Sequence, residues 1–314
     1  MRNSGSISVY GSDFKRKHTI QKVLFIAIIL LLLSLFPIIF LKLREEKGNV
    51  RKELRDSFES GAFESAYKQS LALLNDNPLD FTLLSVNGFS AYQIAIAQIN
   101  NFDTLSYIDN CIWSLRKALL LDERKPQGII YYVLGKAYYY KGNEYADLAV
   151  DYLEKAKVFG FKADDIPEYL GLAYAAIGDF HNSVAAFTLA LSGSEYEPSD
   201  ILLISIAKSY IALDEYDSAR AYLLRCIDTS KDSRNITAAR LLLGNLLIKT
   251  GDLTGAETEF LKIVGENSEN AEAFYQLGEI YALGGDLTRA RAEWRRSVRV
   301  DPAYGPARSR LNMR

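Results

Sequence analysis

Five arginines, Arg289, Arg291, Arg295, Arg296 and Arg299, crowd eleven residues near the C-terminus. Guanidinium groups at this density can hold carboxylates, lipid headgroups or the phosphates of RNA. No aromatic residues interleave with them to stack bases, so nucleic acid is not expected. Glu293 stands four residues from Arg289 and three from Arg296, the spacing of a solvated helix face laced by ion pairs, and that reading is favoured. Catalytic material is sparse. The histidines are His18 and His181 and the cysteines Cys111 and Cys226, with no metal-ligand spacing among them. No phosphate loop or nucleophile elbow occurs, and the carboxylates scatter. The expectation is a protein that is not an enzyme and needs no metal or cofactor.

What must position any functional residue is a chain of 314 residues, 49% hydrophobic and 24% charged, with 7 prolines. This is ample for a buried core and favours helices. Two cysteines are too few for a disulfide framework. The formal charge is −2, but residues 1–22 carry five bases against Asp13, so the remainder is acidic. After this disordered basic tail, "VLFIAIILLLLSLFPIIFL" (23–41) has no charge. As a helix it would be about 28 Å long, enough to cross a bilayer. No small-residue cleavage site follows, so an uncleaved signal anchor is expected. The bases before it favour an N-terminus on the cytoplasmic side.

Beyond the anchor a pattern recurs. Counting from Ala271, Phe274, Leu277, Gly278 and Tyr281 stand at 4, 7, 8 and 11, Gly285-Asp286 at 15–16, Ala290 at 20, Trp294 at 24 and Pro302 at 32. Leu243-Gly244, Gly251-Asp252, Ala256 and Phe260 repeat the phase in 237–270. Leu170-Gly171, Gly178-Asp179 and Phe187 repeat it in 164–197, with Ser183 at 20. Units 128–163 and 200–233 follow, the first with two extra residues in its turn, the second with Ala207 for glycine. Units 47–80 and 81–124 are degenerate, the latter with an insertion around "INNFDTLS".

This period resembles the tetratricopeptide repeat (TPR), a pair of antiparallel helices. The resemblance implies an all-α fold, a right-handed superhelix over residues 42–304 with a concave groove. A glycine at 8 is expected where the second helix crosses closest, near 20, and the glycine at 15 ends the first helix, with the next Asp or Asn capping the second. Cys111 and Cys226 fall at small buried positions, and His181 at a helix start reads as surface. Asn235-Ile236-Thr237 matches a glycosylation sequon but is expected to be an unmodified inter-repeat turn. The closing segment 305–314 is short and basic, and is expected to leave the last repeat's apolar face partly uncovered, open to self-association.

In this family, positions 2, 5, 6, 9, 12 and 13 line the groove. That assigns Tyr132, Lys136, Tyr139, Tyr140, Tyr169, Leu172, Ile204, Lys208, Asn245, Tyr275, Gln276 and Glu279 to peptide or helix recognition, with the aromatics as anchors. Chaperone-binding members carry Lys at 5 and Asn at 9. Position 5 here reads Tyr132, Glu168, Ile204, Leu241 and Tyr275, and only Asn245 agrees at 9, so a carboxylate clamp is not expected. The whole reads as a membrane-tethered protein–protein scaffold, its solenoid in a bacterial periplasm, serving envelope, secretion or flagellar-motor assembly. Two alternatives stay open: a cytosol-facing import receptor, and a structural homo-oligomer.

Overall fold

A computed structural model describes residues 48–98, 103–121, 127–193 and 197–313. The basic tail and the apolar span 23–41 lie outside the described residues. Among those described, no helix is long and apolar enough to cross a membrane.

The described chain is helical and contains no strand. A helix over 48–59 (α1) is followed by α2 (Phe63–Asp76), α3 (Phe81–Ala97), α4 (Thr104–Leu119), α5 (Gly128–Lys141), α6 (Ala146–Val158), α7 (Ile166–Ala176) and α8 (Phe180–Gly193). Then come α9 (Asp200–Ala212), α10 (Tyr216–Thr229), α11 (Ser233–Thr250), α12 (Leu253–Glu266), α13 (Ala271–Leu283), α14 (Leu287–Val300) and α15 (Gly305–Asn312). Each helix packs on its neighbours in sequence, and the odd-numbered helices from α3 to α13 also touch one another in series. The first helices of the pairs therefore form a continuous inner layer, with the second helices outside it. The core runs along the stack rather than around a centre, as one-dimensional packing requires.

Local chemistry fixes the helix ends. Asp80, Asp252, Asn270 and Asp286 each accept a backbone N–H three residues on, satisfying a donor that the first turn leaves orphaned. Gly178, Gly251 and Gly285 leave the first helices at φ +80° to +87°. Asp214 takes the same place between α9 and α10 at φ 59°, a conformation that aspartate tolerates better than most residues. Between α5 and α6 the two extra residues form a 3-10 turn, Asn143–Tyr145, and Asn143 makes no cap.

The glycines at position 8 sit under the large side chain at 24, rather than chiefly against residue 20. A Cβ built at Gly244 would lie 2.5 Å from the Phe260 ring, and one at Gly135 would lie 2.6 Å from Leu153 Cγ. Gly171 faces Phe187 and Gly278 faces Trp294 in the same way. The residue at 20 still lies near: Ser183 donates to the Gly171 carbonyl at 2.8 Å. Burying each wedge contributes about 1.5–3 kcal/mol, more than the roughly 1 kcal/mol that a mid-helix glycine costs.

Two further expectations change. The sequon does not lie in a turn: α11 starts at Ser233, so Asn235 is helical, and its amide donates to Asp200 Oδ2 at 2.9 Å. The C-terminal segment is no bare end. It forms α15, whose Ala307 is fully buried and whose Leu311 packs with Trp294 and Ala290. Cys111 and Cys226 are buried and free, and burial pushes the Cys226 thiol up to about 11. His181 is exposed.

The wedge makes a quantitative prediction. Gly171→Ala should cost about 1–3 kcal/mol in denaturant unfolding, because the added methyl overpacks Phe187. Adding Phe187→Leu should restore part of that loss, since Ala207 and Leu223 already occupy positions 8 and 24 together in the α9–α10 pair. Strict additivity of the two changes would show that they do not meet.

Candidate functional site

The inner layer carries its densest chemistry where α3, α5 and α7 meet. Helical periodicity puts Tyr132, Lys136, Tyr139 and Tyr140 on one side of α5, toward Tyr169 of α7 and Tyr92 of α3. Lys136 is only 9% exposed. Its Nζ donates to Asp165 Oδ2 at 2.7 Å and to the Tyr132 hydroxyl at 3.1 Å. It lies 4.3 Å from the centre of the Tyr169 ring. Tyr132 donates to the Asp165 carboxylate at 2.8 Å. The hydroxyls of Tyr140 and Tyr169 are 2.7 Å apart. The Tyr139 ring meets those of Tyr140 and Tyr169 edge to face, at 5.3 Å each.

Electrostatics define what this cluster can do. Burial pulls Lys136 down, but its bonds to Asp165 and Tyr132 outweigh that and hold its pKa above the ordinary value. Lys136 is thus a fixed, compensated charge and no proton donor near neutrality. Burial pushes the Tyr169 phenol well above its ordinary range, and the bond to Tyr140 adds to this. Tyr92 and Tyr139 are raised for the same first reason. Burial raises Glu168 as well, with Asp165 adding to it. The result is a wall of neutral phenols and aromatic edges over a satisfied ion pair. It can pack and hydrogen-bond a polypeptide segment, since tyrosine offers contact area at low entropic cost.

The remaining assigned residues divide. Ile204 is 8% exposed and belongs to the core, while Leu172 packs against Phe187, Leu202 and Ile206. These two serve helix packing more than an open surface. Lys208 is exposed and Asn245 and Gln276 are half-buried along the same layer. Tyr275 lies against Tyr304, at 5.7 Å between rings, and Glu279 accepts both Nε and Nη2 of Arg310. The cap helix therefore engages the last repeat's candidates. Of the arginine run, Arg296 pairs with Glu293 at 2.8 Å, Arg289 with Asp286 at 3.3 Å, and Arg291 reaches the Met313 carbonyl. All five are exposed. Sequence reasoning missed Asp165 and Tyr92. Both stood in phase, at positions 2 and 12 of their units, so the repeat count held the signal.

The architecture defines an α-solenoid of helix pairs, and the comparisons give its class. The tetratricopeptide-repeat family model matches residues 204–269 and 241–304. Several solved structures share the fold. One is the C-terminal part of a TPR repeat-containing protein from Cytophaga hutchinsonii, 14% identical, covering 83% of this chain and 99% of that one at a TM-score of 0.61. Another is PilW, a type IV pilus biogenesis factor, 17% identical over 71% and 98% of the two chains at 0.56. A third is pilF of Pseudomonas aeruginosa, 14% identical over 71% and 95% at 0.52. Protein CTR9 homolog of Arabidopsis thaliana is 25% identical over 99 residues, which are 31% of this chain and 9% of that protein's length. Residues 204–304 thus match the tetratricopeptide-repeat family model, and the described chain shares the fold of TPR solenoids; TPR proteins mediate protein–protein interactions.

The buried phenols predict an alkaline response. A raised pKa in the folded state means stability that is complete below the ordinary phenol value of 10.0 and is lost as pH rises through the folded values. Lys136, also raised, acts in the same direction. In an absorbance titration, part of the 20 tyrosines should ionise only as helical circular dichroism is lost. Ionisation of every phenol near its ordinary value, with helix intact, would contradict the packing described.

Proposed function

We propose that this protein is a membrane-tethered scaffold whose α3–α5–α7 groove holds a peptide or helix of a partner protein. The observation that carries this reading is the meeting of Tyr139, Tyr140 and Tyr169 over the Lys136–Asp165 pair. Half-buried rings held at fixed angles by their neighbours lose little entropy when a ligand covers them. The apolar span 23–41 supplies the tether. A tether raises the effective concentration of a bound partner at the membrane surface. With the N-terminus in the cytoplasm the solenoid faces a bacterial periplasm, where the role is assembly of an envelope, secretion or flagellar-motor complex. The cytosol-facing receptor is the alternative, and protease digestion separates the two: in the favoured orientation the solenoid is cleaved in spheroplasts without lysis.

Photocrosslinking in cells tests the groove. A photoreactive residue at Tyr139 or Lys208 should yield one discrete adduct with an envelope protein, and a photoreactive residue at Thr188, exposed on α8, should not. Tyr140→Ala with Tyr169→Ala should reduce that adduct about tenfold or more, the usual scale of losing aromatic anchors. Equal adducts from Tyr139 and Thr188 would refute the assignment.

A further inference from the structure

A second surface lies on the opposite side of α5. Tyr132 faces the inner cluster, but its neighbour Tyr131 faces outward, into a trough between α4 and α6. The trough holds about 520 Å³ and is lined by Trp113, Arg116, Lys117, Leu120, Tyr152 and Lys155 among others. Trp113 is 56% exposed and Leu120 86% exposed, although neither type gains from contact with water. The Phe159 ring lies tilted beside Tyr131, 4.9 Å between centroids, and is itself exposed. Singly exposed apolar residues mean little, but a contiguous set around a depression marks an interaction surface.

The rim sets the sign of the partner. Lys141 pairs with Asp109 at 2.8 Å and Lys155 with Asp151 at 2.6 Å, so these charges are compensated. Arg116 and Lys117 have no carboxylate partner among the described residues. Lys117 Nζ rests 4.6 Å from the centre of the Trp113 ring, and Arg116 reaches the Tyr138 hydroxyl at 3.4 Å. Two cations with no carboxylate partner among the described residues thus stand beside an exposed indole and an exposed leucine. Ile112, Leu119 and Leu120 line the trough as well, and an aliphatic patch of this kind matches the apolar face of an amphipathic helix.

We propose that this outer trough is a second docking site, distinct from the inner groove, for an acidic amphipathic segment of another protein. Apolar side chains of that segment cover Trp113 and Leu120, and its carboxylates reach Arg116 and Lys117. The two sites share α5 as a common wall, so one repeat pair can hold two partners on opposite sides.

Trp113 is its own reporter, because the other tryptophan, Trp294, is 5% exposed. The full chain in detergent is titrated with a fluorescently labelled synthetic helix carrying leucines on one face and glutamates on the other. Binding is read from peptide anisotropy and from shielding of Trp113 against acrylamide. Saturable binding that weakens with salt is expected, with none for the same helix carrying lysines in place of glutamates. Arg116→Glu with Lys117→Glu should weaken binding about tenfold or more, and Trp113→Ala should weaken it in the anisotropy readout. Tyr139→Ala should leave it unchanged, which separates this site from the inner groove. No saturation, equal binding of the lysine helix, or indifference to the charge reversal would overturn the proposal. So would shielding of Trp113 by anionic phosphatidylglycerol vesicles or by single-stranded RNA in place of the acidic helix.

Discussion

The stack depends on one steric exchange, in which the first helix of a pair gives up a side chain so that the second can insert a large one. Gly88, Gly135, Gly171, Gly244 and Gly278 each lie against Leu115, Leu153, Phe187, Phe260 or Trp294. With no Cβ in the way, the two backbones approach closely and the wedge is fully or nearly fully buried. What the contact conserves is volume. The α9–α10 pair uses Ala207 with Leu223. The α1–α2 pair inverts the sizes, with Leu54 at position 8 and Ser70 at position 24, both buried. A small residue at 24 also frees a hydroxyl. Ser70 accepts from Asn87 at 3.0 Å, and Asn87 accepts from Ser114 at 2.9 Å. This buried polar chain ties α2, α3 and α4 together with its donors and acceptors satisfied, the condition under which burial of polar groups is tolerable.

Closeness within pairs sets the geometry between them. Because first helices touch first helices along the stack, residues at equivalent phases fall side by side. That is how Tyr92, Lys136 and Tyr169, dozens of residues apart, reach one cluster without any loop to carry them. Several polar atoms of the inner wall are already paired, Lys136 with Asp165 and Tyr132, and Tyr140 with Tyr169, while the buried Tyr92 hydroxyl has no partner among the described residues.

The pair architecture was legible in the sequence because its signal is periodic and each term of the period has a steric cause. Gly244 and Phe260 stand sixteen residues apart, as do Gly278 and Trp294, so the wedge repeats at fixed spacing. The cluster was half legible. Tyr132, Lys136, Tyr139, Tyr140 and Tyr169 share groove phases, but Asp165 precedes a helix start, where a carboxylate is ordinarily a cap. Its side chain makes no cap; it compensates Lys136 from the next repeat, a contact that no single unit displays. Two local readings failed for a related reason. The start of α11 was placed by repeat phase at 237, yet the bonds from Ser230 and Asn235 to Asp200 favour an earlier start. The end of the chain was judged by its charge and shortness, while Ala307, Tyr304 and Leu311 supply enough apolar contact to seat α15 on Trp294.

The cap bears on what the C-terminal end can do. Arg310 joins Glu279 and also lies 5.9 Å from the centre of the Trp294 ring, so one guanidinium binds the cap to both helices of the last pair. The apolar face that a further repeat would have covered is thereby filled by Ala307 and Leu311. What α14 and α15 show to solvent is largely arginine, and like charges on two copies repel at close range. Of these arginines, Arg289 and Arg296 are paired with Asp286 and Glu293. The inner layer differs, with half-buried aromatic rings and compensated charge around Tyr139. Exposed guanidiniums thus concentrate at the C-terminal end, while the Lys136 charge near Tyr139 is compensated by Asp165.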